Sequence, residues 1–176
     1  MKIPHRKELI VKRVIYFLLV VLSAVIQIVL LRLGKCRPMP AAALVFVIAM
    51  FERAIPSMLY AVFAGALIDS FSARFDGLFA VTFTLAAFCL SMLMTFRLRR
   101  CLKTALLVLP LPVCAVFALE WALRYLIAGQ AYSAHILFSY YLPSAAVSIL
   151  FIPLFYCVAG ALEQKFREAG NEQQKT

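Results

Sequence analysis

Val14 to Leu31 is a stretch of 18 residues without a charged side chain, and Gly77 to Phe96 is another of 20. A bilayer hydrocarbon core is about 30 Å thick and takes roughly 20 apolar helical residues to cross. Runs of this length in a chain of 176 residues confine it to folds whose helices face lipid. Composition agrees, with 65% hydrophobic and 15% charged side chains and a mean hydropathy of +0.94, where soluble domains run near 45–50% apolar and about 25% charged. A water-soluble globular domain is excluded.

The remaining runs are less uniform. Met39 to Ile68 is broken by Glu52 and Arg53, with Pro56 just beyond, which predicts two short helices in a tight hairpin, each thin for a bilayer. Thr104 to Ala128 forms a further span that carries Glu120 and Arg124. After a polar turn over 129–133, a final helix is expected from about Ile136 to Leu162, kinked or broken at Pro143 and Pro153. The basic leader Lys2, Arg6, Lys7, Lys12 and Arg13 resembles the start of a signal peptide. The apolar part is too long for one, however, and no Ala-x-Ala site follows, so the first helix is expected to stay uncleaved. Leu33-Gly34-Lys35-Cys36 is no lipoprotein box, because a lysine precedes the cysteine.

Charge placement decides the number of crossings. With six helices and the N-terminus inside, the cytoplasmic segments hold 13 of the 18 basic residues: the leader, Arg53, the cluster Arg97, Arg99, Arg100 and Lys103, and Lys165, Arg167 and Lys175. Arg32, Lys35, Arg37, Arg74 and Arg124 fall outside. Five helices would reverse the bias, so the positive-inside rule selects six. The expected fold is therefore all-α and polytopic: six transmembrane helices, helices 2 and 3 a short hairpin, and both termini cytoplasmic. The expected division is a leader over 1–13, a six-helix domain over 14–162 and a polar tail over 163–176, disordered from Gly170 onward. The net charge of +10 then reflects orientation and contact with anionic lipids, and no nucleic-acid partner is expected.

Chemistry is sparse. Five cysteines at 36, 89, 101, 114 and 157 form no close pair, and His5 and His135 have no Cys, Asp or Glu at ligand spacing. No phosphate-binding glycine loop or hydrolase motif occurs, so neither a catalytic residue, a metal nor a cofactor is expected. Ionisable groups inside a bilayer are functional candidates by default. Glu120 and Arg124, spaced i, i+4, share a helix face in the favourable order, as a local ion pair or facing a partner helix or cavity. Trp121 and Tyr125 beside them suit the membrane interface. Ala61 and Gly65 lead along one stripe to Asp69, permitting close helix approach toward a carboxylate.

Gly65-Ala-Leu-Ile-Asp69, a short loop and then Gly77-Leu-Phe-Ala-Val resembles the Gly-x-[Leu/Ile]-x-Asp…Leu-Gly signature of the MreD family of rod shape-determining membrane proteins. The basic leader, Arg37-Pro38 before a short second helix, Glu120-Trp121 on the fifth helix and the basic tail extend the likeness over nearly the whole chain. The turn departs from the signature, with Asp76 where the family has leucine. The resemblance implies a non-enzymatic scaffold of the cell-elongation machinery in the bacterial inner membrane. Such a scaffold binds MreC directly and, through it, RodA, a class B penicillin-binding protein and MreB. Gly65, Asp69 and Gly77 carry over as signature positions; a homodimer is also compatible. The competing class is the substrate-binding S-component of an energy-coupling-factor-type vitamin transporter, which needs an Ala-x-x-x-Ala stripe on the first helix where this chain has Ser23-Ala24-Val-Ile-Gln27. In it Asp69, Glu120 and Arg124 would line a small outer pocket. A membrane-embedded lipid-modifying enzyme would instead need Asp69 paired with Glu120.

Overall fold

In the computed structural model, residues 6–33, 37–72, 77–96, 101–126 and 133–172 are described, and all their regular structure is helical. The helices are α1 (Arg6–Leu33), α2 (Pro40–Phe51), α3 (Ala54–Ser72), α4 (Leu78–Phe96), α5 (Leu102–Val108), α6 (Pro110–Trp121), α7 (Ser133–Ile136) and α8 (Leu142–Glu172). A π-helical turn, Ala122–Leu126, extends α6, and another, Leu137–Tyr141, joins α7 to α8. Five segments are long and apolar enough to cross a membrane: Ile10–Leu30, Ala54–Phe71, Leu78–Phe96, Leu102–Tyr125 and Leu137–Phe166. Their outer faces carry Leu18, Leu22, Leu59, Val81, Leu85, Leu107, Leu111 and Leu150, all more than half exposed. That apolar surface is suited to lipid and not to water, so the chain is a multi-pass membrane protein.

The sixth apolar helix is of another kind. α2 has 12 residues, and every one from Pro40 to Met50 is buried. A helix that is hydrophobic all round belongs in an interior, and α2 packs against α1, α3, α4, α6 and α8. Lipid tails are as apolar as leucine, so this packing draws on van der Waals contact between small and shaped side chains and not on a hydrophobic drive. Ala41, Ala42, Ala43 and Ala49 bring its backbone close to its neighbours, and Phe46 sets its ring edge-on to Phe83 of α4 at 5.8 Å.

A buried helix end has backbone N–H groups that neither water nor the helix can satisfy. The neighbours supply the acceptors. Gln27 Oε1 of α1 accepts from the Ala41 N–H at 3.4 Å, and Ser148 Oγ of α8 accepts from the Met39 N–H at 2.8 Å. Ser144 Oγ accepts from the Arg37 N–H at 3.0 Å. Both serine hydroxyls donate one turn back along α8, to Tyr140 O and Ser144 O, so each is satisfied as donor and acceptor. Pro40 opens α2 with no N–H to lose.

The expected hairpin of two short helices is corrected in one half. α2 is short, but α3 has 19 residues and meets the length for a span. Its register explains this: Pro56 lies in the first turn of α3, where a proline displaces no intrahelical bond, so it starts the helix instead of ending it. The span that begins at Leu102 is divided at Leu109, before Pro110, into α5 and α6, and Pro153 lies inside α8 without ending it. Pro143 is the second residue of α8, one residue beyond a π-helical turn, the local change of register that lets a helix absorb a missing N–H. α1 already begins at Arg6, so the described part of the basic leader and the first span form one helix, and α8 runs on past Gly170 to Glu172. His5, Cys36, the turn 73–76, the cluster 97–100 and the polar turn at 129–132 lie outside the described residues.

Ser148→Ala leaves the Met39 N–H buried without an acceptor. The expected loss is about 1–3 kcal/mol, read as a lowered unfolding temperature in detergent, while Ser139→Ala on the exposed face of the same segment leaves it unchanged.

Candidate functional site

Three of the residues singled out in the sequence meet in one joint. α3 and α4 are the most extensively packed helix pair, and Gly65 lies where their backbones touch. A Cβ on Gly65 would fall 2.4 Å from Ala80 Cα, 2.5 Å from Ala80 N and 2.6 Å from Phe79 C. These are backbone atoms and cannot rotate away. One turn further on, Asp69 is 6% exposed and its carboxylate spans the start of α4: Oδ1 accepts from the Phe79 N–H at 3.1 Å and Oδ2 from the Ala80 N–H at 2.9 Å. Gly77, at φ +88°, supplies the left-handed turn that brings the chain into α4 at this point.

Asp69 thus acts as the N-terminal cap of a helix other than its own, a carboxylate against free N–H groups and the positive end of the helix dipole. The spacing of the motif follows: the glycine one turn before the aspartate permits contact, the aspartate locks it, and Gly77 closes the turn. Along the outside of this joint runs an open apolar groove of about 420 Å³ lined by Met58, Val62, Ala80, Val81, Thr84, Leu85 and Phe88.

Glu120 and Arg124 form the expected i, i+4 ion pair, 2.9 Å between Glu120 Oε1 and Arg124 NH2, with side chains 4% and 11% exposed. They do not stand alone. Tyr141 is buried beside them, its ring 6.1 Å from Tyr125, 5.6 Å from Tyr140 and 6.3 Å from Phe117. Arg37, at the entry to α2, is tied to the same corner by its backbone: its N–H donates to Ser144 Oγ, which donates in turn to Tyr140 O. Asp69 is not part of this cluster: among the described residues no hydrogen bond or ion pair joins it to Glu120 or Arg124, and both of its oxygens are held by α4.

At the other end of the bundle lies a network that residue spacing did not disclose. Lys12 Nζ of α1 is 2.8 Å from Glu52 Oε1, in the α2–α3 turn, and 2.6 Å from Glu163 Oε2 of α8, and it stands 5.6 Å from the Tyr16 ring centroid. Ser91 Oγ of α4 donates to Glu52 O at 3.3 Å, so this turn is tied to α1, α4 and α8 together. The one signal in the sequence was Glu52 itself, an acidic residue between two apolar helices with no basic partner one turn away that could account for it.

Among the described residues no three His, Cys, Asp or Glu side chains group as metal ligands would. Cys89, Cys101, Cys114 and Cys157 are free and exposed, and His135 is exposed on α7.

Gly65→Ala is expected to force α3 and α4 apart and to cost about 1–3 kcal/mol, whereas Gly160→Ala, whose Cβ meets nothing within 4 Å, leaves stability equal or slightly raised. Thermal unfolding of the two variants in one detergent decides it; equal midpoints would remove the close-contact account of Gly65.

Comparison with protein-family models, with curated proteins and with solved structures gives no match, so any family assignment rests on the residues themselves.

Proposed function

We propose that the protein is a non-enzymatic scaffold of MreD type, a six-crossing protein of the bacterial inner membrane that acts in cell elongation by holding another protein's membrane helix. In this reading α2 is the sixth, interior crossing, and both termini are cytoplasmic. The Lys12–Glu52–Glu163 end then faces the cytoplasm, and the Arg37–Glu120–Arg124 end faces out. The partner is MreC, through which RodA, the class B penicillin-binding protein and MreB are reached.

The observation that carries this reading is the α3–α4 joint. Gly65, Asp69 and Gly77, the residues on which the resemblance rests, are the three that make the hairpin rigid. What the rigid hairpin offers outward is the groove of Val62, Val81, Leu85 and Phe88, an apolar surface with Ala80 and Thr84 between larger side chains. Helix association in lipid rests on such shape fit. The transporter S-component is the weaker reading, because Ser23, Ala24 and Gln27 of α1 are buried in the bundle, leaving no outward small-residue stripe there for a coupling subunit.

Gentle detergent purification of the tagged protein from its own membranes, with mass spectrometry of co-eluting proteins, is expected to recover MreC. Thr84→Trp, which fills the groove, is expected to lower that recovery by about tenfold, the effect of losing roughly 1.4 kcal/mol of contact, with insertion unchanged. Recovery of an ATPase pair with a membrane-coupling subunit in place of MreC would overturn the scaffold reading.

A further inference from the structure

The Arg37–Arg124 corner carries more positive charge than its own residues neutralise. Glu120 pairs with Arg124, whose side chain is nine-tenths buried. Arg37, whose backbone N–H donates to Ser144 Oγ of α8, makes no ion pair among the described residues and is exposed at the rim. The corner thus brings together two arginines, of which one is paired with the Glu120 carboxylate. The second sign is at atomic level: Nε of Arg124 is buried and has no hydrogen-bond acceptor. A guanidinium N–H held from water without an acceptor is a costly arrangement unless something arrives to accept from it.

The corner is also built and not incidental. The Arg37 backbone is pinned to α8 by the Ser144 hydroxyl, which itself donates to Tyr140 O, so Arg37 and Tyr140 are joined through one side chain. Tyr125 and Tyr140 pack edge to face on Tyr141 and bring phenolic donors to this corner, the residue type enriched at membrane interfaces. Planar guanidinium forks and phenols in one place match a phosphate, which accepts several charge-assisted hydrogen bonds at once.

We infer that the corner formed by Arg37, Arg124 and Tyr140, where the entry to α2 meets the ends of α6 and α8, binds the phosphate group of an anionic molecule at the membrane surface. Arg37 receives the phosphate from the rim, and Arg124 holds it against Tyr140 from within. Glu120 keeps the empty site foldable and opposes the ligand's charge. The site is independent of the partner reading, and its failure would leave that reading standing.

The full-length protein in detergent is tested with phosphatidylglycerol, with phosphatidylcholine and with inorganic phosphate, by native mass spectrometry and by unfolding temperature. Retention of phosphatidylglycerol over phosphatidylcholine is expected. Arg37→Gln, at an exposed position that holds no helix together, is expected to lower it by about tenfold, the scale of one charge-assisted contact. Tyr140→Phe lowers it less, and Glu120→Gln, which removes the opposing charge, raises it. Stabilisation by phosphatidylglycerol with inorganic phosphate inert identifies a lipid headgroup as the source; equal stabilisation by inorganic phosphate identifies a soluble anion. Retention unchanged in Arg37→Gln, or lowered as much by Lys103→Gln at the opposite end of the bundle, would overturn the site.

Discussion

Everything in this bundle is arranged around the ends of one short helix. A 12-residue helix rises about 18 Å, short of the roughly 30 Å of a bilayer core, so its termini lie among other helices, where unpaired backbone groups are costly. α2 is possible only because α1 and α8 carry Gln27, Ser144 and Ser148 at the right heights. These polar residues are buried within the two apolar helices that flank α2, and their positions fix the register of α1 and α8 against it. The opposite end is held by charge, with Lys12 drawing Glu52 and Glu163 together. One end of α2 is set by neutral caps and the other by an ionic clasp, and the helices that supply both are the same two.

A second regularity concerns buried carboxylates. Asp69 has two backbone N–H donors, Glu120 has Arg124, and Glu52 shares Lys12. Each answers the cost of a charge in a low-dielectric medium differently, by a helix terminus, by an i, i+4 cation or by a cation from another helix. The choice matters for what each can do. Asp69 accepts at both oxygens from a backbone that cannot move without opening the α3–α4 joint, so it fixes structure. Glu120 pairs with Arg124 through one guanidinium nitrogen and leaves the buried Nε without an acceptor, so its corner is the one inferred to bind a ligand.

The apolar runs, their approximate limits and the pairing of Glu120 with Arg124 were legible because each depends on residues within one or two turns. The stripe Ala61, Gly65, Asp69 was also legible as a close-contact face, though its partner, the first turn of α4, was not, since nothing in sequence says which helix a carboxylate will cap. The break at Glu52 and Arg53 was legible, but the run between it and Ile68 is short for a bilayer, whereas in the structure Pro56 lies in the first turn of α3 and the helix continues through Asp69 to Ser72. Pro143 and Pro153 looked like breaks, yet α8 runs through Pro153 and a π-helical turn precedes Pro143. The Lys12 network escaped because its members are separated by tens of residues with no period connecting them.

The caps of α2 also bear on how the two ends of the molecule communicate. Ser144 binds the Arg37 N–H and lies on the same helix as Glu163, which binds Lys12 at the far end. A shift of α8 along its axis by even one residue would carry Ser144 and Ser148 about 1.5 Å out of reach of the Arg37 and Met39 N–H groups and draw Glu163 from Lys12 in the same movement. The two ends therefore hold α8 in one register or lose it together. The Arg37 corner and the Lys12 clasp thus depend on the same register of α8, which is the condition that both ends of the bundle share.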